Sequence, residues 1–302
     1  VTPDGYGPLG PADRDSAARL ARLGFGHPRE LFDRYAALFG EETLRGVRAA
    51  DGTVAGCAAV WTMAQWFGGR PVPARAVAMV AVDPALRGRG IGSGLMRGVL
   101  AEAAADGAAL SVLHPATLPF YARLGYGRGG VTVGWSAPPA ALDAGPVEDG
   151  RILPGDPRDA APLAVLRRRL LAEETGLPER TEAMWTLALS PDGEPAEVFL
   201  LAGPDGPEGY IAVAPPRDRQ LVVADCCLPT RRAIRLAMGL LAGYRAQVET
   251  VRWLGGPEDP IALLSREIGV RPDSRKSGCC ALWTCAGPWR CAAIPATCRA
   301  GW

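Results

Sequence analysis

The residues whose types and spacing could do chemistry fall between positions 77 and 126. Val80-Ala81-Val82-Asp83-Pro84-Ala85-Leu86-Arg87-Gly88-Arg89-Gly90-Ile91-Gly92-Ser93 reads as the end of an apolar strand, a basic glycine-rich turn and a helix start. Glycines at such a turn let backbone N–H groups approach a ligand with no side chain in the way. The helix N-terminus adds unpaired N–H donors and the positive end of the macrodipole. Together they suit a pyrophosphate, and Arg87 and Arg89 add charge at its rim. A P-loop would need G-x-x-x-x-G-K-[ST], and no lysine follows these glycines. A dinucleotide fingerprint would need G-x-G-x-x-G, whereas the glycines stand at 88, 90, 92 and 94. Further along, Pro115-Ala116-Thr117-Leu118-Pro119-Phe120-Tyr121-Ala122-Arg123-Leu124-Gly125-Tyr126 carries two tyrosines. A tyrosine with the ordinary pKa of about 10 is a neutral proton donor at pH 7. Tyr121 is the candidate donor, with a packed aromatic as the plainer alternative, and Tyr126 fits that plainer reading better.

The pattern Arg87-x-x-Gly90-x-Gly92 after an apolar strand resembles the GNAT acetyltransferase superfamily, and Phe120-Tyr121-x-Arg123-x-Gly125-Tyr126 resembles that superfamily's second signature. The Pro115–Tyr126 run, with Trp61-Thr62-Met63 upstream, is similar to the enhanced-intracellular-survival (Eis) family of GNAT proteins. The resemblance implies two tandem GNAT-like domains of α/β (α+β) class, each a mixed, mostly antiparallel sheet flanked by helices. It implies that acetyl-CoA is the co-substrate. Val80, Ala81 and Val82 would meet its pantetheine arm, and Arg87, Gly88, Arg89, Gly90, Ile91, Gly92 and Ser93 would hold its pyrophosphate. Ala116 and Thr117 would lie beside it, and Tyr121 would protonate the departing thiolate. An amine acceptor would attack the thioester directly in a ternary complex: an aminoglycoside-like amine, a polyamine or a lysine side chain. Trp61, Trp66 and Phe67 could line the acceptor pocket, with core packing as the alternative. The resemblance also points to a homo-oligomer.

The elements that must position these residues follow from periodicity. Residues 15–38 predict two short helices interrupted at His27-Pro28. Strands are expected at 54–63, 75–82, 109–114 and 131–135, with a helix over 90–106 burying Ile91, Leu95, Val99 and Ala103. Cys57 reads as a small core residue. Residues 136–150 are rich in Pro and Ala and read as a break, so the expected organisation is a catalytic domain over 1–138, a linker over 139–150 and a second GNAT-like domain over 151–278. The second domain repeats the order of strands, helix and strand, with a helix at 159–174, strands at 196–202, 208–214 and 220–226, a long helix over 229–247 and a strand at 248–254. It lacks the glycine-rich turn.

At 302 residues, with 48% hydrophobic and 22% charged residues, the chain has the composition of a two-domain globular protein. Its net charge of +1 gives no overall field for nucleic acid or an acidic membrane. No apolar run suits a membrane span and the first ten residues do not read as a signal peptide, so the cytoplasm is the expected compartment. Two histidines and no C-x-x-C leave no basis for a metal site. Residues 279–302 form an irregular tail holding five of the eight Cys and three of the eight Trp. That composition suggests GC-rich DNA read out of frame, standing where the family has a sterol-carrier-like third domain. The family's general base comes from that third domain, so a catalytically silent acyl-CoA-binding or scaffold protein is the alternative reading.

Overall fold

The computed structural model describes residues 5–266, 268–284 and 287–290, with side chains described as far as Ser274. The chain divides into two compact units. The first takes the described residues of Val1–Gln65, Pro71–Gly129 and Gly278–Ile294; the second takes Trp66–Arg70 and Gly130–Ser277.

The first unit opens with β1 (Tyr6–Pro8), α1 (Arg14–Phe25) and α2 (Arg29–Phe39), followed by β2 (Leu44–Arg48), β3 (Val54–Phe67) and β4 (Arg70–Val82). Gly26, in the left-handed conformation at φ 72°, ends α1, and Pro28 sits immediately before α2. That is the break expected at His27-Pro28. Gly68 and Gly69 both take positive φ between β3 and β4, which gives the tight two-residue turn whose twist suits a hairpin. Next come α3 (Ile91–Ala105), β5 (Leu110–Leu113), α4 (Leu118–Ala122) and the start of β6 (Gly127–Ala137). The sheet runs β1-β2-β3-β4-β5 and continues into the second half of a late strand, numbered β13 below. β2 is antiparallel to both β1 and β3, whereas β4 and β5 are parallel and joined across α3. One face packs Leu95, Met96 and Val99 of α3 against Ala58, Val60 and Val77; the other packs Ala17, Leu20 and Phe32 against Cys57 and Ala59. Burying a leucine such as Leu95 completely stabilises the fold by about 1.5–3 kcal/mol. The Cys57 thiol lies in this core, and desolvation pushes it up to about 12, as suits a packing residue.

The second unit contains the remainder of β6, β7 (Arg151–Pro154), α5 (Ala161–Glu173), β8 (Pro178–Glu179), α6 (Glu182–Leu189), β9 (Glu197–Gly203), β10 (Gly206–Val213), β11 (Gln220–Cys227), α7 (Arg231–Ala242), β12 (Thr250–Gly255), α8 (Pro260–Leu264) and the first half of β13 (Arg271–Thr284). Its strands run β6-β12-β11-β10-β9-β7. Again a single parallel pair, β11 with β12, is joined across a helix, α7. The other pairs of this path are antiparallel. The internal repeat of topology expected from the sequence is therefore present.

Three expectations change. The stretch 139–150 is not a free linker: Pro139–Leu142 forms a 3-10 turn, Leu142 is fully buried, and Ala144 joins the same core as Leu236 and Met238 of α7. The division falls between Gly129 and Gly130, inside β6, rather than at 138. The start of the tail is not irregular either. Cys279–Leu282 pairs antiparallel with Leu113–Leu110 of β5, and β14 (Gly287–Arg290) pairs with β13. Cys285, Cys291, Cys298 and Trp302 lie outside the described residues.

Candidate active site

β4 and β5 run together only as far as the pair Val77↔Leu113. β5 stops there, and its chain turns away through His114-Pro115, while β4 continues five residues to Val82. Met79 sits on this continuation at φ 52°, a left-handed conformation rare for a non-glycine residue and rarer inside a strand. The positive φ turns the backbone locally before the last residues of β4. The result is a notch between two parallel strands, floored on one side by the backbone of Val80, Ala81 and Val82. Behind it, the space is held by small residues. A Cβ on Gly56 would lie 3.2 Å from the Ala81 carbonyl oxygen, and one on Gly24 would lie 3.2 Å from the Ala81 methyl.

The turn after β4 is braced from outside. Asp83 accepts a hydrogen bond from the Ala85 N–H at 2.9 Å and another from Arg19 of α1 at 2.7 Å. The Asp83 N–H donates to the Ala55 carbonyl at 2.9 Å. The Arg19 hydrogen bond and that of Ala85 hold the Asp83 carboxyl below the usual carboxylate range. Arg87, Gly88, Arg89 and Gly90 are exposed. Gly88 at φ 79° and Gly90 at φ 81° are both left-handed, and a Cβ at either would meet open space. Gly90 is the N-cap of α3 and has no side chain to cover the helix end. The first-turn N–H groups of Ile91, Gly92 and Ser93 thus belong to a helix start with no capping side chain. Gly92 lets Phe120 and Val82 close beneath it, both 3.4 Å from where its Cβ would stand.

Tyr121 lies on α4, which starts from Thr117 in extended conformation. Ala116 and Thr117 are exposed on the segment between β5 and α4. The Tyr121 ring meets Phe120 and Tyr126 edge-on, at 4.9 and 5.7 Å between centroids. The Tyr126 hydroxyl pairs with the buried Ser111 Oγ at 2.6 Å, which accounts for it as a packed aromatic. Tyr121 is 6% exposed, so the residue lies mostly out of solvent.

The three aromatics expected around an acceptor part company. Trp66 is buried in the second unit against Leu171 and Leu177, with its indole N–H donating to Glu179 at 2.6 Å. It is a core residue there, and Phe67 is half-buried. Trp61 packs on Phe39 at 4.6 Å, and Phe39 continues through Tyr35 and His27 to Phe25 in a row of rings. Sequence reading missed Phe39 and Tyr35, although Tyr35 and Phe39 stand one helical turn apart on α2. Among the described residues no cluster of His, Cys, Asp or Glu could hold a metal ion. None of the described helices is long and apolar enough to cross a membrane.

Comparison with known proteins agrees with this geometry. One acetyltransferase (GNAT) domain model matches residues 6–129 and a second acetyltransferase (GNAT) domain model matches residues 176–275. Among solved structures, a GCN5-related N-acetyltransferase from Anabaena variabilis superposes with a TM-score of 0.85 at 24% identity, over 92% of this chain and 72% of that one. Another from Kribbella flavida gives 0.79 at 26% identity, over 92% and 70%. Eis1 from Mycobacterium abscessus gives 0.72 at 22% identity, over 92% and 72%. No curated protein matches the chain. With two GNAT domains in sequence and the parallel-strand notch beside a glycine-built helix start in the first of them, the chain belongs to the GNAT acetyltransferases and is an N-acetyltransferase.

Proposed function

We propose that the first unit transfers an acetyl group from acetyl-CoA to a primary amine by direct attack within a ternary complex, and that the protein is Eis-like. The observation that carries this reading is the notch beyond Val77↔Leu113, ending at the left-handed Gly88 and Gly90 at the start of α3. A pantetheine arm is an extended chain of amides. The β4 backbone from Val80 to Val82, freed of its parallel neighbour, offers such a chain N–H and C=O partners. The pyrophosphate then meets the turn and the helix start from Gly88 to Ser93, with Arg87 and Arg89 at its edge. Ala116 and Thr117 flank the arm, and Tyr121 supplies a proton to the leaving thiolate. Holding amine and thioester together supplies most of the rate, with no covalent enzyme intermediate. Cys57 plays no part, because its thiol is buried and neutral.

The acceptor side is assigned to Trp61, with Phe39 and Tyr35 added and Trp66 removed. The acceptor is an aminoglycoside-like amine, a polyamine or a lysine side chain. The likeness to Eis1 supports the Eis-like assignment. The cytoplasm as location and a homo-oligomeric state belong to the same proposal. The test is thiol release from acetyl-CoA with a panel of these amines, on wild type and Tyr121→Phe. Amine-dependent turnover that falls about 10²-fold or more in the variant is expected. Saturable acetyl-CoA binding without turnover on any amine would overturn the transferase reading in favour of a silent binding protein.

A further inference from the structure

The second unit buries an arginine side chain with unused donors. Arg167 stands on α5 one turn after Leu163 and one turn before Leu171, and all three are buried. The next two residues, Arg168 and Arg169, are exposed, so one of three consecutive arginines is turned into the core. Arg167 is 3% exposed, and its Nε and Nη2 are both enclosed with no hydrogen-bond partner. These two nitrogens form one edge of the guanidinium, the edge that grips an anion with two parallel N–H donors.

Asp225 does not take up these donors. Arg180 already occupies it, with Nη1 donating to Asp225 Oδ2 at 2.5 Å and Nη2 to Oδ1 at 2.8 Å. The Tyr210 hydroxyl also donates to Asp225 Oδ2, at 2.7 Å, and Arg180 lies 4.7 Å over the Trp185 ring. Arg167 feels the charge of Asp225 without bonding to it. Tyr210, Cys226 and Cys227 also lie within reach of its charge. Burial pushes all three upward, Cys227 to about 12, so none carries negative charge at neutral pH. Asp225 thus takes its hydrogen bonds from Arg180 and Tyr210 and none from Arg167, and buried cations are almost never left without partners.

We propose that the second unit holds a small monovalent anion, a chloride or a small carboxylate, on the Nε–Nη2 edge of Arg167 between α5 and the β10–β11 strands. This site is independent of acetyl transfer in the first unit. Its occupant completes the charge balance of a core that otherwise contains a cation with two unused donors.

The test is 35Cl NMR line broadening on the full chain, with formate as competitor. Wild type is expected to broaden the chloride signal saturably, Arg169→Met to match it, and Arg167→Met to lose the excess broadening. Reversal by low formate identifies a carboxylate site; persistence identifies a halide site. Thermal unfolding gives a second readout that needs no variant. Replacing methanesulfonate by chloride, or by formate for a carboxylate site, at constant ionic strength should raise the wild-type Tm by about 3–8 °C. If Arg167→Met fails to fold, Arg167→Lys keeps the charge and loses the two-pronged edge, and should weaken anion binding about tenfold. No broadening and no stabilisation by either anion over methanesulfonate, or equal broadening in wild type and a folded Arg167 variant, would overturn the proposal.

Discussion

Replacing Gly90 by alanine isolates what the turn does from what it costs to build. Gly90 holds φ 81° and ψ −2° as N-cap of α3. An L-residue in that conformation is strained by about 1–2 kcal/mol. Nothing lies within 4 Å of the added methyl, so no clash and no new packing enters the balance. At about 2–4 °C per kcal/mol for a unit of this size, the Tm should fall by roughly 2–8 °C. Gly107, just past the other end of α3, provides the control. It sits at φ 76° with equally open space around its Cβ, so Gly107→Ala should lose the same stability. The two variants should diverge in binding. The methyl at Gly90 projects into the approach to the helix start, where the pyrophosphate is proposed to lie. Acetyl-CoA affinity, measured by calorimetry, should weaken about tenfold or more in Gly90→Ala, which is about 1.4 kcal/mol. It should stay unchanged in Gly107→Ala. Equal affinities in the two variants, at matched stability loss, would refute the assignment of the turn.

Further outcomes follow from the same structure. Trp66→Ala should destabilise the second unit by about 3–5 kcal/mol in urea unfolding while leaving acetyl-CoA affinity intact, whereas Trp61→Ala should raise the acceptor KM. For Asp225, desolvation acts to raise its pKa, but Arg180 outweighs it and the carboxyl titrates below its ordinary value. A carboxyl depressed in the folded state contributes stability that is full above its unfolded pKa and is lost as pH falls through the folded one. Asp225→Asn should therefore cost about 3–5 kcal/mol at pH 7, because it strands Arg180. The gap between variant and wild type should narrow as pH falls below about 4. A pH-independent gap in urea titrations would contradict the ion pair. Arg19→Ala removes the outer brace on Asp83, and should weaken acetyl-CoA binding more than it shifts the Tm, because the Arg19 side chain is more than half exposed.

The parts of the fold written in local pattern were legible. The spacing of Leu95, Val99 and Ala103 set α3, and His27-Pro28 separated α1 from α2, because helical periodicity and proline act over a few residues. The turn was legible for the same reason, since Gly88 and Gly90 mark in sequence where the backbone takes a positive φ, and Gly92 where Phe120 and Val82 come close. What escaped depends on long-range context. Nothing in Ala78-Met79-Val80 announces a positive φ at Met79. Pro139 to Ala144 carries the residues of a loop, yet Leu142 and Ala144 find a core against α7 that no local rule foresees. Trp66 looked like Trp61 in sequence, and only tertiary packing sorts it to Leu171 and Glu179. Arg167 was hidden among Arg168 and Arg169, where a run of charge reads as a solvated face.

The pairing of Cys279–Leu282 with β5 makes the first unit discontinuous along the chain. A ribosome releases β5 well over a hundred residues before the strand that covers its edge. During synthesis that edge, Leu110 to Leu113, waits with unpaired N–H and C=O groups while the whole second unit is made. The order of birth and the order of assembly therefore differ. The first unit is begun before the second, and its β5 edge is covered only after the chain has returned to it.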